Sequence, residues 1–182
     1  MRVRDEERSV SGHDQVMAGG DFSTFFRESW APLMRLAFAR VGDVGVAEDL
    51  VQDVLADAHR RWARIGAYDD PLGWGRRAVL NRSISRWRRA GNEQRALAAV
   101  DARDRLATLF PDPPEHDADL WRAVRSLPDR QRDVVLLLWF EDLPARSVAT
   151  ILGCGEDTVR THWRRARARL ADLLGERDED ER

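Results

Sequence analysis

PARSVATILGCGEDTVRTHWRRARARL, residues Pro144–Leu170, is the stretch that decides how this chain folds. Val148, Ala149, Ile151 and Leu152 form the apolar face of a short helix opened by Pro144. Gly153-Cys154-Gly155 is a tight turn. Val159, Trp163, Ala166, Leu170 and Leu173 then recur in steps of four, three, four and three, which is one stripe of a helix expected over 156–174. A short helix, a glycine-containing turn and a longer helix make a helix-turn-helix. In that motif the second helix enters the DNA major groove and its N-terminal side chains reach base edges. At about 100° per residue, Asp157, Thr161, Arg164 and Ala168 fall opposite the apolar stripe, with Thr158 and Arg165 beside them. Arg160, Arg167 and Arg169 lie on the flanks, where arginine suits phosphate. Asp157, Thr158, Arg160, Thr161, Arg164 and Arg165 are therefore the candidate duplex-reading residues. The plainer alternative is a solvated, arginine-rich helical hairpin; the agreement of turn, stripe and basic face favours DNA.

Upstream, almost every periodic segment also reads as helix. Leu120, Trp121, Val124 and Leu127 mark a short helix ending at Pro128, and 129–140 a second one with the apolar run Val134 to Phe140. Nearer the N-terminus, residues 22–40 place Phe22, Phe25, Phe26, Trp30, Leu33, Met34 and Ala37 at helical spacing. Gly42-Asp43 is a turn whose aspartate caps the next helix, 44–65, with Ala47, Leu50, Val51, Val54, Leu55, Ala58, Trp62 and Ile65 inward. Its opposite face carries Glu48, Asp49, Asp53 and Asp57. After a loop at 66–70, Asp70-Pro71 reads as a cap followed by proline at the first helical position, and a helix runs to about Arg89. Leu80, Ile84 and Trp87 form its stripe, and Gly73 and Gly75 weaken its first turn. The expected fold is all-α: two small helical domains, 21–90 and 118–175, joined by an acidic linker 91–117 that Phe110-Pro111-Asp112-Pro113-Pro114 interrupts. Residues 1–20 read as disordered, with Met17 a second candidate start, and 176–182 as an acidic tail.

Charge supports this division. The chain of 182 residues has a net charge of -2, but the balance is segregated: +3 over 21–90, -3 over 91–117, +2 over 118–175 and -3 over 176–182. All basic residues are arginine, and nine of them fall in 60–90 beside only two acids. Such a patch is the footprint of a polyanionic partner. The lone Cys154 excludes an internal disulfide, and its place in the turn suits small-residue packing. His13, His59, His116 and His162 are scattered without metal-ligand spacing. Gly73-Trp74-Gly75 lacks the rest of a phosphate-binding loop, and no nucleophile–base pair stands in a known context. No catalytic activity, cofactor, metal or small-molecule substrate is expected. No apolar run reaches membrane-span length and no signal peptide opens the chain, so a cytoplasmic protein without membrane insertion is expected.

Two motif sets, in order, resemble an RNA polymerase sigma factor of the extracytoplasmic-function type, over roughly residues 22–174. Ala47-Glu48-Asp49-Leu50-Val51-Gln52-Asp53-Val54 resembles the signature helix of region two, and Asp70-Pro71 with Arg76-Arg77-Ala78-Val79-Leu80-Asn81-Arg82 its promoter-melting segment. Leu127-Pro128, Arg130-Gln131-Arg132, Glu141-Asp142-Leu143, Leu152 to Arg160, Arg165-Ala166-Arg167 and Leu170 resemble region four, and the nearest flavour is the actinobacterial SigE-like subgroup.

The resemblance implies core RNA polymerase and promoter DNA as partners, and allows an anti-sigma factor as a third. It places Asp49, Leu50, Gln52 and Asp53 against the polymerase clamp, and helix 156–174 on the minus-thirty-five element. It places Trp74, Arg76, Arg77, Asn81, Arg82, Arg86, Arg88 and Arg89 on the melted minus-ten strand. A cationic track with flat side chains for base stacking is what single-strand capture requires. Trp87, on the apolar stripe, is read as core. The chain departs from the family pattern at Gly155, where Ser or Thr usually caps the helix, and at Asp157, Ser85 and Trp163, which bear on promoter sequence and not on fold. Two other functions compete: a stand-alone helix-turn-helix regulator that binds duplex tightly by itself, and a helical adaptor with no use for its arginines.

Overall fold

The structure, a computed structural model, describes residues 21–87 and 118–180, without the side chains of 84–87, 118 and 176–180. The expected disordered segment 1–20, the linker 91–117, Arg88 and Arg89 lie outside the described residues.

Every described element is helical. Helix α1, Phe22–Val41, starts at Asp21, whose carboxylate accepts from the Ser23 backbone N–H and hydroxyl. It ends at Gly42, whose φ of 75° lets its N–H reach the Phe38 carbonyl at 2.7 Å. Asp43 then caps α2, Val44–Arg60, by accepting from the Val46 N–H at 2.9 Å. The helix expected over 44–65 is broken at Arg61, and a separate turn α3, Trp62–Ile65, follows. The break lets the Trp62 ring pack at 5.5 Å from Phe22 and 4.9 Å from Phe25, so tertiary aromatic contact overrides the local period. Helix α4, Pro71–Trp87, opens with the Asp70 carboxylate accepting from the Gly73 N–H at 2.7 Å.

Leu33, Met34, Leu36 and Ala37 of α1 bury against Ala47, Leu50, Val51 and Val54 of α2 and Val79 and Leu80 of α4. Glycine is what lets α4 lie so close. A Cβ at Gly75 would sit 3.2 Å from Leu33 Cδ1, and one at Gly73 would strike the Asp70 cap. The two glycines read as weakening the first turn are therefore contact points of the packed helix.

The second group comprises α5, Ala118–Ser126; α6, Asp129–Val135; α7, Ala145–Leu152; and α8, Glu156–Asp180. The helix expected over 129–140 changes character midway: Leu136–Phe140 is a π-helical turn continuing α6. The Glu141 N–H bonds the Leu136 carbonyl at 2.9 Å, and Asp142 takes a positive φ of 49°. Helix α8 runs six residues past the expected end at 174, through most of the segment read as an acidic tail.

The two groups touch along a charged seam. Arg40, in the last turn of α1, is 3 % exposed; its Nε donates to Asp133 at 2.9 Å and its Nη2 to Asp129 at 2.8 Å. Arg76 of α4 donates through Nε and Nη2 to Glu141 at 3.0 and 2.7 Å. Behind these pairs a single apolar cluster is continuous from Leu33 and Val79 to Trp121, Leu136 and Val148.

Two outcomes follow. Gly75→Val should overpack the α1–α4 contact and lower unfolding stability by about 1–3 kcal/mol, read by urea denaturation. Burial pushes the Asp133 carboxyl up to about 6. The folded chain therefore holds a proton there over a range in which the unfolded chain has released it. This contribution to stability is largest at low pH and is lost as pH rises through about 6. Wild type should lose more stability than Asp133→Asn between pH 5 and pH 7, and parallel curves would contradict this.

Candidate nucleic-acid interface

The helix-turn-helix is built by its turn. Gly153 lies in the left-handed region at φ 66°, where its N–H reaches the Thr150 carbonyl at 3.3 Å and the Cys154 N–H reaches that of Ala149 at 3.0 Å. This double bond satisfies the last carbonyls of α7 and turns the chain sharply into α8. Cys154 is half-buried against the core, consistent with a packing residue. Gly155 serves as the α8 cap through its carbonyl alone, to the N–H groups of Thr158 and Val159.

Val159 and Ala166 are fully buried and anchor α8, with Trp163 and Leu170 partly buried beside them. The opposite face reaches solvent: Asp157, Thr158, Arg160, Arg164, Arg165, Arg167 and Arg169 are exposed and Thr161 is half-buried. Arg160 bridges Glu156 and Asp157, both at 2.9 Å. Such exposed pairs are worth about 0.2–1 kcal/mol, so a phosphate can draw Arg160 away.

On α4 the expected single-strand track is only partly open. Arg77 and Asn81 are exposed, and the Arg77 guanidinium lies beside the helix-turn-helix turn, 3.2 Å from where a Cβ on Gly153 would be. Arg82 is half-exposed and paired with Asp57. Arg76 is the correction: paired with Glu141, it retains 12 % side-chain exposure and does not face solvent in this conformation. Trp74 is half-buried against the apolar cluster, which leaves it little free face for stacking. Arg86 lies on α4, with its side chain outside the description.

On α2, Asp49, Gln52 and Asp53 are exposed on one face. Leu50, grouped with them as a docking residue, is fully buried, because it shares the inward stripe with Val51 and Val54. Asp57, expected on the solvated face, is also buried and accepts from Arg60 and Arg82, tying α2 to α4. Among the described residues, no His, Cys, Asp or Glu cluster could hold a metal and no helix is long and apolar enough to cross a membrane.

Sequence reasoning missed the charged seam. Arg40, Asp129 and Asp133 drew no attention, and Glu141 entered only as part of a motif. One signal was available: Arg40 falls on the inward side of α1, next to Leu36, Ala37 and Ala39, where a charge demands a partner.

The comparisons with known proteins agree with this geometry. The family model for sigma-70 region 2 matches residues 25–93, and that for sigma-70 region 4 matches residues 117–170. The chain is 31% identical over 165 residues to the RNA polymerase sigma-E factor of Streptomyces coelicolor, covering 89% of this chain and 90% of that protein. It is 34% identical over 157 residues to the ECF RNA polymerase sigma factor SigM of Mycobacterium tuberculosis, covering 85% and 77%. In structure it resembles the sigma factor RpoE of Bartonella quintana, solved in complex with the anti-sigma factor NepR. The TM-score is 0.63 at 21% identity, over 85% of this chain and 97% of that one, a likeness of fold. With regions 2 and 4 matched in order and relatives aligned over most of their length, this chain belongs to the extracytoplasmic-function (ECF) group of the sigma-70 family of RNA polymerase sigma factors.

Proposed function

We propose that this chain binds core RNA polymerase in the cytoplasm and directs it to promoters that carry a minus-thirty-five and a minus-ten element. The observation that carries this reading is the presence in one chain of two unlike DNA-facing surfaces. One is an arginine-faced recognition helix of duplex-reading type; the other is a cationic helix of strand-capturing type. A stand-alone regulator has no use for the second.

The division of labour follows from side-chain chemistry. The exposed face of α2, with Asp49, Gln52 and Asp53, docks on the polymerase. The first turns of α8 enter the minus-thirty-five major groove. There Arg164 and Arg165 donate to base edges or phosphates, Thr158 and Thr161 donate or accept, and Asp157 accepts from a cytosine amine. Arg160, Arg167 and Arg169 hold the backbone. On α4, Arg77, Arg82 and Arg86, continued by Arg88 and Arg89, line the path of the melted strand, and Asn81 can bond an unstacked base. Arg76 and Trp74 join this track once Glu141 and the neighbouring packing release them. Strand capture offsets unstacking, which costs a few kcal/mol per step. The protein performs no bond chemistry itself; the polymerase does.

The test is transcription in vitro with the purified chain, sigma-free core polymerase and sheared DNA of its own genome. Discrete new starts sharing two spaced upstream elements support the reading; no new starts and no binding to core polymerase sink it. Charge reversal by Arg164→Glu with Arg165→Glu should abolish those starts while leaving co-elution with core polymerase unchanged, as gel filtration and transcript mapping would read. Promoter capture should also weaken steeply with salt, the logarithm of affinity falling linearly with that of salt concentration.

A further inference from the structure

The charged seam has a chemistry of its own. It joins residues far apart in the chain: Arg40 to Asp129 and Asp133, and Arg76 to Glu141. Two close approaches flank it. The Arg125 side chain lies over Gly42, where a Cβ would come within 3.2 Å, and Arg77 lies over Gly153. Side-chain exposure is 4 % at Arg40, 2 % at Asp133, 12 % at Arg76 and 5 % at Glu141. Charges buried this far repay their desolvation only when paired in good geometry, and removing one partner leaves the other strongly penalised. Such a seam fixes orientation more than it adds net stability. It is therefore suited to open when another surface supplies competing contacts.

What the seam covers gives it a consequence. Glu141 occupies a guanidinium of the strand-binding helix, and the helix-turn-helix turn sits beside Arg77. The π-helical turn of Leu136–Phe140 and the left-handed Asp142 are what place Glu141 there. We infer that the free chain is self-closed: the Arg76–Glu141 and Arg40–Asp129/Asp133 pairs hold the helix-turn-helix group against α4 and mask part of its strand-binding face until polymerase draws the two groups apart. This rests on the sigma-factor reading for what α4 binds. The seam is thus an internal carboxylate stand-in for the phosphates of the melted strand, and free protein is kept from capturing single-stranded DNA at random.

Glu141→Gln removes the charge at the latch and touches no residue assigned to DNA or polymerase. Full-length wild type and variant would be compared, without polymerase, by small-angle X-ray scattering and by anisotropy of a fluorescein-labelled single-stranded DNA oligonucleotide of mixed sequence. The expected result is a larger radius of gyration and oligonucleotide affinity raised about fivefold in the variant, the lower end of couplings between linked equilibria. Asp129→Asn, at a more exposed carboxylate, should move both in the same direction by less, and serves if Glu141→Gln fails to fold by circular dichroism. Unchanged scattering and affinity, or a wild type already extended, would overturn the closure. Transcription with core polymerase separates the two ideas. Starts retained with no change in the free chain defeat only the latch, whereas an opened variant with no wild-type starts defeats only the sigma-factor reading.

Discussion

Arg40 is a guanidinium in the least hospitable place available to it, at the C-terminal end of an otherwise apolar helix face. Two aspartates from the other half of the chain, Asp129 and Asp133, make that place tolerable, and the helix end adds its own partial negative charge. The arrangement is tense. Arg132, half-buried nearby, is pushed down to about 10 by burial and by the charge of Arg40, and burial holds Asp133 high despite its cationic partner. The relation of the two helical groups depends on this knot, because the apolar cluster behind it is continuous but has no directional preference of its own.

The consequence runs from packing to function. Within the first group, glycine at position 75 lets α4 lie against Leu33, which sets the angle at which α4 presents Arg77 and Asn81. Within the second, the Gly153 turn and the buried Val159 set α8 so that its arginines face outward. A sigma factor must read duplex with one element and hold single strand with another. The structure supplies both on rigid helices, and leaves their separation to be set by whatever joins or parts the seam.

Local features were legible in the sequence because their causes are local. Asp43 and Asp70 cap helices because their carboxylates reach backbone N–H groups three residues on. Gly153 ends α7 because a positive φ is needed there. What escaped has non-local causes. Arg40 and Asp133 are 93 positions apart, and no period links them. Leu50 was grouped with its acidic neighbours because they are adjacent, though a helix turns adjacent residues to different faces. The break at Arg61 follows from aromatic rings elsewhere, and Arg76 looked free because the carboxylate that binds it lies in the other group.

The most direct test of the central claim is a comparison of affinities on one promoter duplex recovered by mapping the transcript starts, measured for the chain alone and with core polymerase. The account predicts weak binding by the chain alone, and tight binding with both elements protected in the footprint once polymerase is present. Tight, sequence-specific protection by the chain alone, unchanged by polymerase, would contradict it and make the protein a stand-alone regulator.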